Sequence, residues 1–280
     1  MRCKHWLTLI AAVLLLQGCS IKFWYNRLDW VVPWYVDDYV ELSGQQEEQL
    51  EKLMLLKTEW HRENELPRYI AWLDSLDKDI RNKQVEQRYD FHRQQLSNFY
   101  QNLVDELAGD FASLMVQLSD QQVNELFIEL EQMDQETLEE FNELSAEELF
   151  EQKDENIADG VSEWIGRLSN EQKMIVTEWA SQVQSTTLER MAYRKRWREA
   201  MREALKTRQQ EQGANSIQSV MVNAQSLQGD VLKAMYQNNR ELTQHYLIRI
   251  YDTLSDKQLK RLLAKISDYK EDFTDLMDDD

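Results

Sequence analysis

Glycine and proline are scarce in this sequence, seven and two among 280 residues, which removes the tight turns that a fold of many short strands depends on. The two cysteines, Cys3 and Cys19, both stand near the start, so no disulfide framework holds the body of the chain. After Leu16 no apolar run approaches the roughly 20 residues of a membrane-spanning helix, and the body is not expected to span. Basic residues are outnumbered, 32 against 51 acidic, and a formal charge of −19 argues against broad nucleic-acid binding, which needs a cationic face for the phosphates. Also missing are a Gly-rich phosphate loop, a Gly-x-Ser-x-Gly elbow, a Cys–His pair and any His-x-x-x-His spacing. His61, His92 and His245 lie far apart in sequence, so no metal, cofactor or catalytic constellation is read from them, although His61 and Glu65 share a helix face at i, i+4. His92 falls on an apolar row and reads as a satisfied core residue. At 42% hydrophobic, the chain nevertheless has the apolar stock for a core.

What is present begins at the first residue. Met1-Arg2-Cys3-Lys4-His5 is basic, Trp6 to Leu16 is apolar, and Gln17-Gly18-Cys19-Ser20 follows, the order of a signal peptide. Leu16-Gln17-Gly18-Cys19 resembles the bacterial lipobox, which implies cleavage before Cys19 and acylation of that cysteine. At about 0.8 kcal/mol per buried CH₂, several acyl chains anchor a protein where one is marginal. Ser20 stands where an Asp favours inner-membrane retention in Gram-negative lipoproteins, so the resemblance points to the outer membrane, facing the periplasm. Loss of Arg2 and Lys4 with the signal makes the mature chain two charges more negative.

From Leu42 onward apolar residues recur at three and four positions, as in Leu50, Leu53, Met54 and Trp60, or Tyr89, His92, Leu96, Phe99 and Leu103, which predicts helices with one buried face. One phrase recurs at the expected starts: Ser43 with Gln46, Ser119 with Gln122, Ser145 with Glu148, Ser169 with Gln172 and Ser255 with Gln258. Each is a capping box, in which the Ser oxygen takes a free backbone N–H and the side chain three residues on returns to the Ser N–H. The intervals between them are unequal, so the phrase is punctuation and not a solenoid repeat. Pro67 suits the first turn of a helix, while Gly160, Gly166, Gly213 and Gly229 mark expected ends or bends. Long helices are expected near residues 84–118, 170–210 and 214–253. The fold expected is all-α: an elongated bundle of long helices joined by short capped turns, after a cleaved signal peptide. Its divisions are the signal at 1–18, a lipid-attached aromatic segment at 19–41 and a single helical domain at 42–280.

Between the lipid site and the first cap lies Tyr25-Asn26-Arg27-Leu28-Asp29-Trp30-Val31-Val32-Pro33-Trp34-Tyr35-Val36-Asp37-Asp38-Tyr39-Val40. With Trp60-His61, Glu65-Leu66-Pro67-Arg68-Tyr69, the Leu-Ser phrases, Asn239-Arg240 and Asp268-Tyr269, it resembles the Gram-negative lipoprotein family catalogued as domain of unknown function 6279. The resemblance implies a helical fold and an envelope address, and no activity. Pro33 departs from it and leaves the continuity of a helix there open. The aromatic residues suit a membrane interface, which is apolar on one side and wet on the other. Core packing is the reading favoured here, because Asp29, Asp37 and Asp38 are repelled by anionic headgroups.

Charge is unevenly spread. Asp120 to Glu163 holds sixteen acidic residues against Lys153, whereas Arg190, Arg194, Arg198, Arg202 and Lys206 recur every four residues and form one basic ridge. Like charges at that spacing cost about 0.2–0.5 kcal/mol per pair, so something negative should face the ridge. The acidic stretch is the nearest supply, and an external anion, either anionic lipid or an acidic envelope protein, is the alternative. The expectation is a membrane-anchored, periplasm-facing binding or scaffold module of the cell envelope, held to the membrane through lipid on Cys19 and with no assigned catalytic residue. The alternative is an envelope enzyme using acidic residues in a helical cleft. The mass of the mature N-terminus checks the anchor: an acylated Cys19 is expected, and an unmodified one, or a Cys19→Ala chain that still fractionates with membranes, ends the lipoprotein reading.

Overall fold

The computed structural model describes residues 19–278; the signal read over residues 1–18 and the side chain of Cys19 lie outside the described residues. The fold is all-α and 85% helical, a helical bundle with no strand among the described residues. In chain order the helices are α1 (Cys19–Tyr25), α2 (Leu28–Asp37), α3 (Gly44–Asn64), α4 (Leu66–Arg81), α5 (Val85–Met115) and α6 (Asp120–Glu143). There follow α7 (Ala146–Ile165), α8 (Asn170–Gln182), α9 (Thr187–Lys206), α10 (Gly213–Val222), a 3₁₀ turn (Ala224–Leu227), α11 (Asp230–Asp252) and α12 (Asp256–Asp278). Two compact units divide them: one comprises the chain up to Asp77 with the chain from Ile266 on, the other is Lys78–Lys265.

In the first unit α2 packs along α3. Pro33 sits buried inside α2, where its missing N–H removes a bond to the turn before it. Val40, Leu50, Met54, Leu66, Leu73 and Leu276 are buried there. Lys270 pairs with Asp74, and Lys22 with Asp272 and Asp275, tying the last helix to α4 and to α1.

Two apolar clusters form the core of the second unit. Val161, Ile165, Ile175, Val176, Tyr246 and Ile250 join α7, α8 and α11, with Trp179 stacked on Tyr246 at 5.9 Å between centroids. Ala112, Phe127, Met201, Leu205 and Ile217 join α5, α6, α9 and α10. Ala108 and Ala112 have no exposed area, so on that face α5 offers no bulk to hold α10 away.

All five capping boxes form. Gln122 N–H donates to Ser119 Oγ at 3.2 Å while Ser119 N–H donates to Gln122 Oε1 at 2.9 Å, and the same exchange stands at Ser43, Ser145, Ser169 and Ser255. Two of the boxes are joined. Gln172, with no exposed area, donates from Nε2 to Gln258 Oε1 at 3.1 Å and accepts from Gln258 Nε2 at 2.8 Å, so the starts of α8 and α12 hold each other. Just before this junction α7 stops at Gly166, whose φ of 79° lies in the left-handed region that glycine enters without penalty. A Cβ there would also stand 3.1 Å from the Arg261 side chain.

Three expectations change. Gly160 lies inside α7, with open space around it, rather than at an end. The helix expected over residues 170–210 breaks between Gln182 and Thr187, where Gln184 N–H donates to Asn239 Oδ1 at 3.0 Å and Asn239 Nδ2 returns to the Gln184 carbonyl at 2.9 Å. That side chain supplies what the helix would have supplied, which makes the break cheap. The helix expected over 214–253 is likewise divided, at the 3₁₀ turn, where Arg196 Nε donates to the Leu227 carbonyl at 2.8 Å.

Ser119→Ala is expected to cost about 1 kcal/mol, the ordinary price of a lost N-cap. Gln172→Ala should cost more, about 2 kcal/mol, because it leaves the Gln258 amide short of a partner at a buried junction. Urea midpoints order the two; equal losses would mean that the junction adds nothing to the cap.

Candidate functional site

The basic ridge lies on α9, and α6 packs against that helix. Asp134, only 4% exposed, projects from α6 between two of the ridge arginines: Arg194 Nε reaches its Oδ1 at 2.8 Å and Arg198 pairs with its Oδ2. Three residues earlier Glu131 accepts from Arg202 at 2.7 Å, and the Arg202 guanidinium lies over the Phe127 ring at 4.5 Å. Lys206 turns to Glu203 of its own helix at 2.9 Å, while Arg190 is exposed and has no ion-pair partner among the described residues. The acidic stretch therefore meets the middle of the ridge through Glu131 and Asp134. A carboxylate this buried depends on its partners, because losing one of them leaves charge in a poorly solvated place at a cost of several kcal/mol.

Beside Asp134 an apolar cleft of about 650 Å³ opens among α5, α6 and α9. Leu103, Leu107 and Phe111 of α5, Leu130 of α6 and Tyr193 and Trp197 of α9 line it, and Arg194 and Arg198 stand in its wall. Leu96, Tyr100, Leu103, Leu107 and Phe111 fall on one row of α5. Tyr100 is 59% exposed and Leu96 52%. No residue of the ridge was hard to find, since four-residue repetition announces it. Asp134 and the cleft were missed. A signal for Asp134 existed, because in α6 it falls on the apolar row of Phe127, Leu130, Leu138 and Phe141, a row on which an acid requires a partner.

The first unit carries a different surface. Phe23, Trp30, Trp34 and Tyr35 are 48%, 57%, 52% and 45% exposed, so the core packing expected for the aromatic segment holds for part of it and fails for these four. Trp30 and Trp34, one turn apart on α2, stack at 6.4 Å with 13° between planes, and Arg27 lies over the Phe23 ring at 4.0 Å. The buried side of the helix belongs to Pro33, with the valines half-buried, and this leaves the rings outside.

Tyr25 turns inward to His61. Its hydroxyl meets Nδ1 at 2.8 Å, and Nε2 on the other side meets the Tyr69 hydroxyl at 3.3 Å, so a neutral ring donates to one tyrosine and accepts from the other. Burial pulls His61 down to about 4 and pushes both tyrosines up to about 12. Glu65, although one turn from His61, bonds Arg68 at 2.8 Å. In the second unit His92 bonds Asp79 at 2.9 Å, with Arg88 on the same carboxylate at 3.1 Å; burial pulls this imidazole down while Asp79 pulls the other way. Among the described residues no group of three His, Cys, Asp or Glu side chains is placed to hold a metal ion.

Capped helices, buried ion clusters and an apolar cleft among the described residues characterise an all-α helical bundle. A family model matches residues 38–230, and the chain belongs to the family of unknown function DUF6279. The match takes in the ridge, Asp134 and the cleft, and begins after Trp30 and Trp34. No curated protein and no solved structure matches the chain.

His61 gives this arrangement a pH signature. Its folded value lies below the ordinary 6.5, so the unfolded chain takes up a proton that the fold refuses. Stability is therefore intact above about pH 6.5, declines as pH falls toward about 4, and gains no further slope below that. His61→Phe keeps the ring and removes the titration. The urea midpoint of the parent should fall more steeply over this window than that of the variant, and parallel profiles would show that His61 titrates alike in both states.

Proposed function

We propose that the mature protein is a lipid-anchored module that faces the periplasm from the outer membrane and binds another component of the envelope. The observation that carries this reading is the exposed aromatic face of α1 and α2, which begins within a few residues of Cys19. A soluble chain gains nothing by leaving Phe23, Trp30, Trp34 and Tyr35 in water, whereas a chain tethered by lipid at Cys19 holds these rings within reach of the headgroup layer, where Trp and Tyr are stable. None of the described helices is long and apolar enough to cross a membrane. The acidic Asp37 and Asp38 at the end of α2 weigh against a strongly anionic surface and favour a zwitterionic one.

Vesicle flotation tests this with the mature chain carrying Cys19→Ser, so that only protein surface contributes. A Trp ring carries roughly 200 Å², and burying about half of it at ~25 cal/mol per Å² is worth on the order of 2 kcal/mol. Replacing Trp30 and Trp34 with Ser should lower partition into zwitterionic vesicles by roughly tenfold or more. A variant that floats like its parent, or a parent that does not float, overturns the reading.

A further inference from the structure

We propose that the exposed aromatic face of α2 docks on the ethanolamine headgroup of a phospholipid, with the primary ammonium seated among Trp30 and the carboxylates of Asp37, Glu47 and Glu51. The inference rests on the reading of this face as membrane-facing and names the lipid chemistry that it selects. Three observations converge on it.

The first is the seat. A cavity of about 190 Å³ opens where α2 lies along α3. Trp30, Pro33, Trp34 and Asp37 recur at three and four positions, so one face of α2 supplies the aromatic wall. Glu47 and Glu51, one turn apart, supply acid from α3. At roughly 30 Å³ per heavy atom, close to a water's share of the liquid, the two carbons and the nitrogen of the headgroup's end take up about 90 Å³. A phosphate of five more heavy atoms would raise this to about 240 Å³, so the ammonium end enters and the phosphate stays outside, away from the acids.

The second is charge. Among the described residues no cation pairs with Asp37, Glu47 or Glu51, and Lys52, the sequence neighbour of Glu51, pairs with Glu48 at 2.6 Å. Glu47 has a local reason to be acidic, in the first turn of α3, where free N–H groups favour negative charge. Glu51 stands a turn beyond that reach, half-buried, and repels Glu47 at i, i+4. Three like charges around one cavity turn an anion away and draw a cation in.

The third is the ring. Trp30 is 57% exposed, and an indole face attracts an ammonium within about 6 Å of its centre. Trp30 and Trp34 stack with 13° between planes, so they form a wall and not a cage. A quaternary ammonium donates no hydrogen bond and needs rings on several sides; a primary one brings three N–H donors, which matches three carboxylates. An indole at a bilayer surface sits at headgroup level, the depth at which such an ammonium is found.

Flotation tests the proposal on the mature chain carrying Cys19→Ser, with vesicles of phosphatidylcholine alone and of phosphatidylcholine mixed equally with phosphatidylethanolamine. The parent should partition about tenfold more strongly into the mixed vesicles, the size of one charged hydrogen bond. Glu47→Gln together with Glu51→Gln, conservative changes outside the core, should abolish that gain and leave partition into phosphatidylcholine as it was. A looser interface made by the smaller headgroup would help parent and variant alike. Glycerophosphoethanolamine, a soluble probe, is titrated against the indole N–H signal of Trp30, assigned by NMR from Trp30→Phe. It should shift that signal saturably in the parent and not in the double variant, and glycerophosphocholine should act more weakly. Equal partition into both vesicles, a gain retained in the double variant, or no shift with the soluble headgroup would each overturn the proposal. Tighter binding of N-acetyl-lysinamide would overturn it as well, by assigning the seat to a basic protein segment. Equal flotation on both compositions ends the headgroup assignment and leaves the membrane face standing, whereas a shift with the soluble headgroup but no flotation ends the membrane reading and, with it, the bilayer as the source.

Discussion

Free backbone N–H groups at helix starts are the constraint around which this chain is organised. A fold that is nearly all helix has many ends, each with several amides lacking an intrahelical partner, and here there is little glycine or proline with which to turn the chain cheaply. The answer is one device used five times, a serine and an amide or acid three residues later. Where two of these devices meet, Gln172 and Gln258 each serve as cap and as cross-link, and a buried polar side chain is thereby satisfied.

Sequence and structure agree most closely where the physics is local. Helix class, all five caps, the first-turn role of Pro67 and the limits of α5 to within a few residues are set by spacings of three and four, which neighbouring residues read directly. Agreement fails where a remote side chain substitutes for the backbone. Nothing near Gln184 announces that Asn239, 55 residues on, will stitch a break in a helix. His61 likewise has its two tyrosine partners 36 and 8 residues away, and only the second lies within reach of a pattern. The aromatic segment was read toward the core, with the interface as the alternative, because an aromatic ring is equally at home in both and composition does not separate the two.

The candidate site shows the same division. The ridge was legible because five cations at a four-residue interval have few explanations, and the acidic stretch opposite was legible as charge. Of the sixteen acids Glu131 and Asp134 meet the ridge, and Asp134 is set apart by burial, which depends on how α6 faces α9. The cleft is less legible still, since it is a space left by several helices and belongs to no residue.

The four-residue repeat of the ridge has a geometric side. Asp134 lies between Arg194 and Arg198, yet a slide of α9 by one turn, about 5.4 Å, would present Arg190 with Arg194, or Arg198 with Arg202, to the same carboxylate. The ridge is a ruler whose marks are identical, so attraction between the helices sets their approach and says nothing of which mark is read. The choice belongs to uncharged shapes: Met201 and Leu205, buried against Phe127, fit one position of the slide and collide or leave voids in the others. Charge here is a measure without a zero, and methyl groups supply the zero.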